Sequence, residues 1–120
     1  EDTVYAFNQE FNKLWNTERK GILYPKSLFE DQGQSSEHAL KSVLKDIWRD
    51  AVSVCGIEMH RRCLSLAHNA DFESIENISL RATLEARNLL MGRELILNSN
   101  SIQSVDELSS MALEFNKKDI

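Results

Sequence analysis

The sequence predicts an all-α protein, and three observations carry that prediction. Proline occurs once, at Pro25, and glycine four times, so residues that break helices are scarce. Apolar residues recur at the three- and four-residue spacing of a helix face along nearly the whole chain. No segment shows the sustained alternation of a half-buried strand, and no internal repeat or low-complexity stretch is present. With 120 residues, 42% of them hydrophobic, the chain is about the size of one domain and can bury a core, so one compact helical unit over residues 1–120 is expected.

The first helix is expected from Thr3 to about Glu18, where Val4, Phe7, Phe11, Leu14 and Trp15 share a face, Thr3 serves as N-cap and Gly21 as stop. Gly21 to Ser36 holds Pro25, Gly33 and many polar residues and reads as an ordered loop with one helical turn after Pro25, anchored by Leu23, Tyr24, Leu28 and Phe29. A long central helix follows from Ser36 to about His68, its apolar series broken only by Gly56. Past the turn "NADFESIEN", Leu80, Leu84, Leu89, Leu90, Leu95 and Ile96 predict a third helix over Ile78 to Leu97, ended by Asn98 to Ser101. Ser104 with Glu107 three residues on forms a capping box ahead of Leu108, Met111, Ala112 and Phe115, which predicts a short fourth helix.

A formal net charge of -5 and the lack of any basic cluster beyond two or three residues argue against a nucleic-acid surface. No apolar run reaches the 18 or so residues of a membrane span, and no secretory leader is visible. Cys55 and Cys63 stand eight apart on one helix, roughly 12 Å at 1.5 Å per residue, too far to pair. Two free thiols fit a reduced, soluble, cytoplasmic protein. The chain opens EDTVYAF, with no initiator Met and already in helical periodicity, so a piece of a longer polypeptide is expected.

On a helical wheel, Cys55, Met59, Cys63, Leu66 and Ala67 form one apolar face of the central helix. Ile57 and Leu64 lie well off that face and Val54 on the far side, so a helix buried between neighbours is expected. What stays polar is a narrow stripe of Glu58, Arg61, Arg62 and Ser65. Two readings of that stripe stand side by side. It is a solvated side on which Glu58 pairs with Arg61 or Arg62, or its two guanidiniums make a donor-rich site for the hydroxyls, carboxylate or phosphate of a small ligand.

The other candidates favour structural roles. His38, His60 and His68 lack metal-ligand spacing and read as a helix-start polar residue, a rim residue and a helix-end cation. Asp71 and Glu73 read as caps of the next turn, and Phe7, Phe11, Trp15 and Trp48 as core. There is no glycine-rich phosphate cradle, His-x-Asp catalytic loop or G-x-S-x-G elbow, so no catalytic centre is evident.

The stretch "IWRDAVSVCGIEMHRRCLSLAHNADFESIENISLRATLEARNLLMGRELI" carries a specific order of features. An acidic turn of helix is followed by Gly56, the pair Arg61–Arg62, Ala67–His68, the run Ala70 to Ile75, Arg81–Ala82 and Gly92–Arg93. With "FNKLWN" and "GILYPKSLFED" upstream, residues of about 11 to 97 resemble the C-terminal region of 5-methylthioribose kinases. The resemblance implies a protein-kinase-like parent fold, shared with choline kinases and aminoglycoside phosphotransferases, of which this chain is the helical end of the C-terminal lobe. It implies a parent that uses ATP and Mg2+ to phosphorylate the 1-hydroxyl of 5-methylthioribose in methionine salvage, and it suggests a homodimer.

The family's catalytic Asp and Mg2+-binding acids lie upstream of the matching region, so no catalytic, cofactor-binding or metal-binding residue and no kinase activity is expected of these 120 residues alone. What carries over is Arg61 and Arg62, which the resemblance implies contact the sugar and the transferred phosphoryl region. The chain departs from the family pattern at His60, where an apolar residue is usual, at Ser65 for Gly, at Asn69 for Val, and at Ser53-Val54-Cys55 ahead of Gly56. Two rival readings remain: a stand-alone helical interaction or dimerisation module without catalysis, and a piece of a related small-molecule kinase.

Overall fold

The structure of the chain, a computed structural model, describes residues 2–64 and 70–118. Helices α1 (Asp2–Thr17), α2 (Glu37–Leu64), α3 (Ala70–Glu73), α4 (Ile78–Leu97) and α5 (Val105–Lys117) make up most of it, with short 3-10 turns at Lys26–Leu28 and Glu30–Gln32. Among the described residues there is no strand, as the spacing of apolar residues predicts. Two groups of elements form, one up to Trp48 and one from Arg49 onward, with α2 contributing to both.

In the first group, α1 begins one residue earlier than expected, so Thr3 is inside the helix and does not cap it. The helix also stops short of Gly21: Glu18 N–H donates to the Leu14 carbonyl at 2.8 Å, and Thr17 is its last residue. Near this end Asn12, Asn16 and Thr17 turn their side chains back onto the carbonyls of Asn8, Asn12 and Lys13 at 2.7–2.9 Å. Such local bonds compete with the backbone ladder and favour termination. Of the predicted apolar face only Trp15 is buried, while Phe7 and Leu14 are exposed.

The loop packs through aromatic rings and one arginine. Phe7, Phe11, Trp15 and Tyr24 follow one another at centroid distances of 5.6, 6.2 and 5.4 Å. Tyr24 reaches Trp15 with φ at 56°, a left-handed backbone that is costly for a bulky residue and is held here by the ring contact. The turn expected after Pro25 is present at Lys26–Leu28, and Gly33, with φ at 72°, closes the second turn. Leu23 and Leu28 do not anchor the loop, since both are exposed. Arg19 does: its side chain is 5% exposed, ion-paired to Glu30, and bonded through Nη1 to the Ser36 hydroxyl at 2.8 Å. Ser36 Oγ also accepts from Trp15 Nε1 at 3.1 Å and donates to Glu30 at 2.8 Å, so the hydroxyl uses its whole bonding capacity.

The second group has its core at Val52, Leu95, Ile102 and Phe115. Here α2 and α4 meet backbone to backbone at Gly56 and Gly92. A methyl added at Gly56 would stand 2.5 Å from the Gly92 carbonyl oxygen, and one at Gly92 would stand 2.9 Å from the Gly56 oxygen. Only glycine permits that approach. Gly56 is therefore not a weak point of the helix but the centre of its packed face, which runs Val52, Gly56, Met59, Cys63.

That face is rotated from the expected one: Cys55 is exposed, and Leu66 and Ala67 lie outside the described residues. Nor is the helix buried all round, because Val54, Ile57 and Leu64 are more than half exposed. Asn88 fastens α4 to α2 by donating to the Met59 carbonyl at 2.7 Å. His60, expected at a rim, lodges over Gly92, and its Nδ1 lies 2.9 Å from the Gly56 carbonyl. A carbonyl only accepts, so that nitrogen carries the proton.

Helix α4 spans Ile78–Leu97 as predicted, capped by Asn77, whose side chain accepts from Leu80 N–H at 3.0 Å. The cap of α5 is Ser104, which accepts from Glu107 N–H at 3.2 Å. Glu107 returns its bond one residue before the cap, to Gln103 N–H at 2.7 Å, a shifted form of the predicted box.

Candidate functional site

Arg61 and Arg62 stand on the described end of α2, both with side chains a little under half exposed. Consecutive helical positions point about 100° apart, so the two guanidiniums leave the helix in different directions and take different partners. Ser65, the last member of the predicted stripe, lies outside the described residues.

Arg61 is held from within its own helix. Glu58, one turn back, receives Nη2 at 2.7 Å and Nε at 2.9 Å on the same carboxylate oxygen. The hydrogen bond from Arg61 holds the Glu58 carboxyl below its usual range, against a smaller opposing effect of desolvation, and the same bond raises the Arg61 pKa. Both groups are therefore charged at neutral pH. An arginine carries five N–H donors, and Glu58 engages one edge of this fork, leaving the Nη1 edge without a partner among the described residues.

Arg62 is held from another element. Its Nη1 donates to Asp71 Oδ2 at 2.5 Å, and Asp71 belongs to α3. Asp71 and Glu73 both lie in the first turn of α3, and the cap of α4 is Asn77. The charge of Arg62 is felt by Glu58 without a hydrogen bond between them. On α4, Arg81 donates to Glu85 at 2.8 Å, a bond that raises the Arg81 pKa against the opposing effect of desolvation, with a weaker contribution from the charge of Glu73. Cys63 Sγ itself accepts from Asn88 Nδ2 at 3.2 Å, which ties α2 to α4 beside the arginines.

The sequence reading thus located both arginines and the Glu58 pairing, and missed Asp71 as a partner. No spacing rule would have found it, because the helical rules pair residues three or four apart and these two stand nine apart on different elements. His38 is exposed at the start of α2 as expected, and His68 lies outside the described residues. Both cysteines are free thiols. Among the described residues no three His, Cys, Asp or Glu side chains come together as a metal site, and no helix is long and apolar enough to cross a membrane. The open groove between α4 and α5, lined by Glu94, Asp106, Met111, Phe115 and Lys118 among others, includes neither arginine of the pair.

Comparison with known proteins gives this arrangement a context. No family model matches the chain, and no solved structure does. Among curated proteins it is similar to methylthioribose kinases. The protein from Escherichia coli O45:K1 is 30% identical over 110 residues, covering 92% of this chain and 26% of that protein. The one from Yersinia enterocolitica is 36% identical over 104 residues, covering 83% and 25%. The one from Klebsiella pneumoniae is 37% identical over 119 residues, covering 95% and 30%. The chain spans between a quarter and a third of the length of these relatives. In sequence it is thus a stretch of the methylthioribose kinase family.

Proposed function

We propose that this chain is the C-terminal helical part of a methylthioribose kinase and supplies Arg61 and Arg62 to its sugar site. The whole polypeptide would transfer the γ-phosphoryl group of ATP to the 1-hydroxyl of 5-methylthioribose within a protein-kinase-like fold in the cytoplasm. The observation that carries this reading is the state of the two guanidiniums: both are exposed, both are steadied by a carboxylate, and both keep donors to spare. A fixed cation with a planar fork suits sugar hydroxyls and phosphoryl oxygens, and phosphoryl transfer depends mostly on positioning and charge stabilisation.

ATP and Mg2+ are a different matter. Glu58 and Asp71 are taken up by the arginines, and the described residues bring together no carboxylate set for a cation. These residues do not fit a metal–nucleotide site, which this reading assigns to the part of the kinase that has no counterpart here. The arginines' task is to hold the sugar and to meet negative charge with N–H donors that need no rearrangement.

A second reading draws on the same pairs: Glu58–Arg61 has the spacing of an ordinary surface ion pair, and a non-catalytic helical module needs nothing more of it. The two readings separate in the full-length kinase that carries this sequence. Arg61→Ala and Arg62→Ala are each expected to lower kcat/KM for the sugar by about a hundredfold, with unchanged helical circular dichroism. Wild-type kinetics in both variants would leave only the module.

A further inference from the structure

We infer that Asp71 is the positioning residue for Arg62, so that the sugar site of the kinase depends on α3 as well as on α2; this rests on the reading of the arginines given above. An arginine side chain has four rotatable bonds, and a site that uses its fork must hold it in one of many rotamers. On α2 the natural holder of Arg62 is Glu58, one turn back. That carboxylate is already engaged by Nε and Nη2 of Arg61, and acts on Arg62 only through space. The carboxylate that does bond Arg62 is Asp71, through Nη1 alone. Among the described residues, Nε and Nη2 of Arg62 meet no partner, which leaves their N–H groups for a ligand.

The asymmetry is informative. Arg61 is set by a helical neighbour and keeps its partner wherever α2 goes, whereas Arg62 is set by a residue of a different element, α3. A rigid short side chain on a separate element fixes the direction of the guanidinium without occupying the edge that a substrate needs. A simple clip joining α2 to α3 would use the same contact, so the test must read substrate and not only stability.

The experiment uses the full-length kinase with Asp71→Ala, Asp71→Asn, Asp71→Glu, Arg62→Ala and the double variant Asp71→Ala/Arg62→Ala. The expected result is a kcat/KM for the sugar about tenfold lower in Asp71→Ala and Asp71→Asn, carried mainly by KM for the sugar with KM for ATP unmoved. Partial recovery is expected in Asp71→Glu. The double variant should be no worse than Arg62→Ala, because a positioning residue has nothing left to position. Sugar kinetics unchanged in Asp71→Asn, or losses that add fully in the double variant, would overturn the inference. If Arg62→Ala itself is silent, the reading of the arginines falls and takes this inference with it; if Arg62→Ala is damaged and Asp71→Asn is not, only the inference falls. Asp71→Asn keeps the shape of the side chain, so the answer does not hang on the folding of the alanine variant.

Discussion

Arg19 and the pair Arg61–Arg62 are the same residue type put to opposite uses. The guanidinium of Arg19 is enclosed: Glu30 and Ser36 take its two Nη groups, and the rings of Trp15 and Phe29 lie 4.8 and 5.6 Å from its central carbon. Its Nε is buried with no partner among the described residues, a desolvation cost that the cation–ring contacts and the Glu30 bond offset. Among the described residues, Arg61 and Arg62 each meet one carboxylate on one edge, and their side chains are a little under half exposed. The difference lies in which edges of the fork the fold consumes. Where the fold takes nearly all of it, the residue organises a loop; where it takes one edge, the remainder can meet a ligand.

The largest effect expected from breaking this contrast is on stability. Arg19→Ala removes the cation that Glu30, Ser36, Trp15 and Phe29 are arranged around, and is expected to cost roughly 2–3 kcal/mol in chemical denaturation. Arg19→Lys should recover less than half of that, because a point charge cannot bond Glu30 and Ser36 from two edges at once. Arg61→Ala should leave the unfolding midpoint close to wild type, since its pair is half exposed. A midpoint that falls equally in Arg19→Ala and Arg61→Ala would erase the distinction drawn here.

How much of this was legible in the sequence follows from range. Helix α4 was readable to its ends because Asn77 and Asn98 bracket it locally, and the Glu58–Arg61 pair because helical spacing alone brings those side chains together. The packed face of α2 was misplaced because apolar counting treats glycine as a gap, whereas the crossing at Gly56 and Gly92 selects glycine for having no side chain. Arg19 gave no signal. Its partners stand 11 and 17 residues away along a loop whose path no periodicity encodes. Asp71 was hidden for the same reason, since it belongs to another element, nine residues from Arg62, and no helical spacing pairs them.

The contrast is sharpened by acid. Hydrogen bonds from Arg19 and then Ser36 hold the Glu30 carboxyl down to about 2 from an ordinary 4.5. A carboxyl whose folded pKa is depressed stabilises the fold fully above its unfolded value, and that contribution is lost as pH falls from 4.5 through about 2. The difference in melting temperature between wild type and Glu30→Gln should therefore be constant near neutrality and shrink steadily over that acid window. A difference that stays flat down to the bottom of the window would mean that Arg19 does not depend on the Glu30 charge.

The smallest effect concerns Glu58, and it tests whether Arg61 is set by the helix or by its carboxylate. Arg61 is bonded by a residue one turn away on the same rigid element, so removing that carboxylate leaves the arginine's Cα and its exit direction where they were. The isolated value of such a helical pair corresponds to only about a twofold change in an equilibrium. Glu58→Gln in the full-length kinase should accordingly raise KM for the sugar by about twofold, well short of the change expected at Asp71. Since the Glu58 carboxyl lies below its usual pKa, wild-type kinetics should show no ionisation of this group near neutral pH, and the variant should differ from wild type by a constant factor there. A Glu58→Gln defect as large as that of Asp71→Asn would mean that both guanidiniums are steered by their carboxylates alike, and that the division between an arginine set by its own helix and one set by another element does not hold.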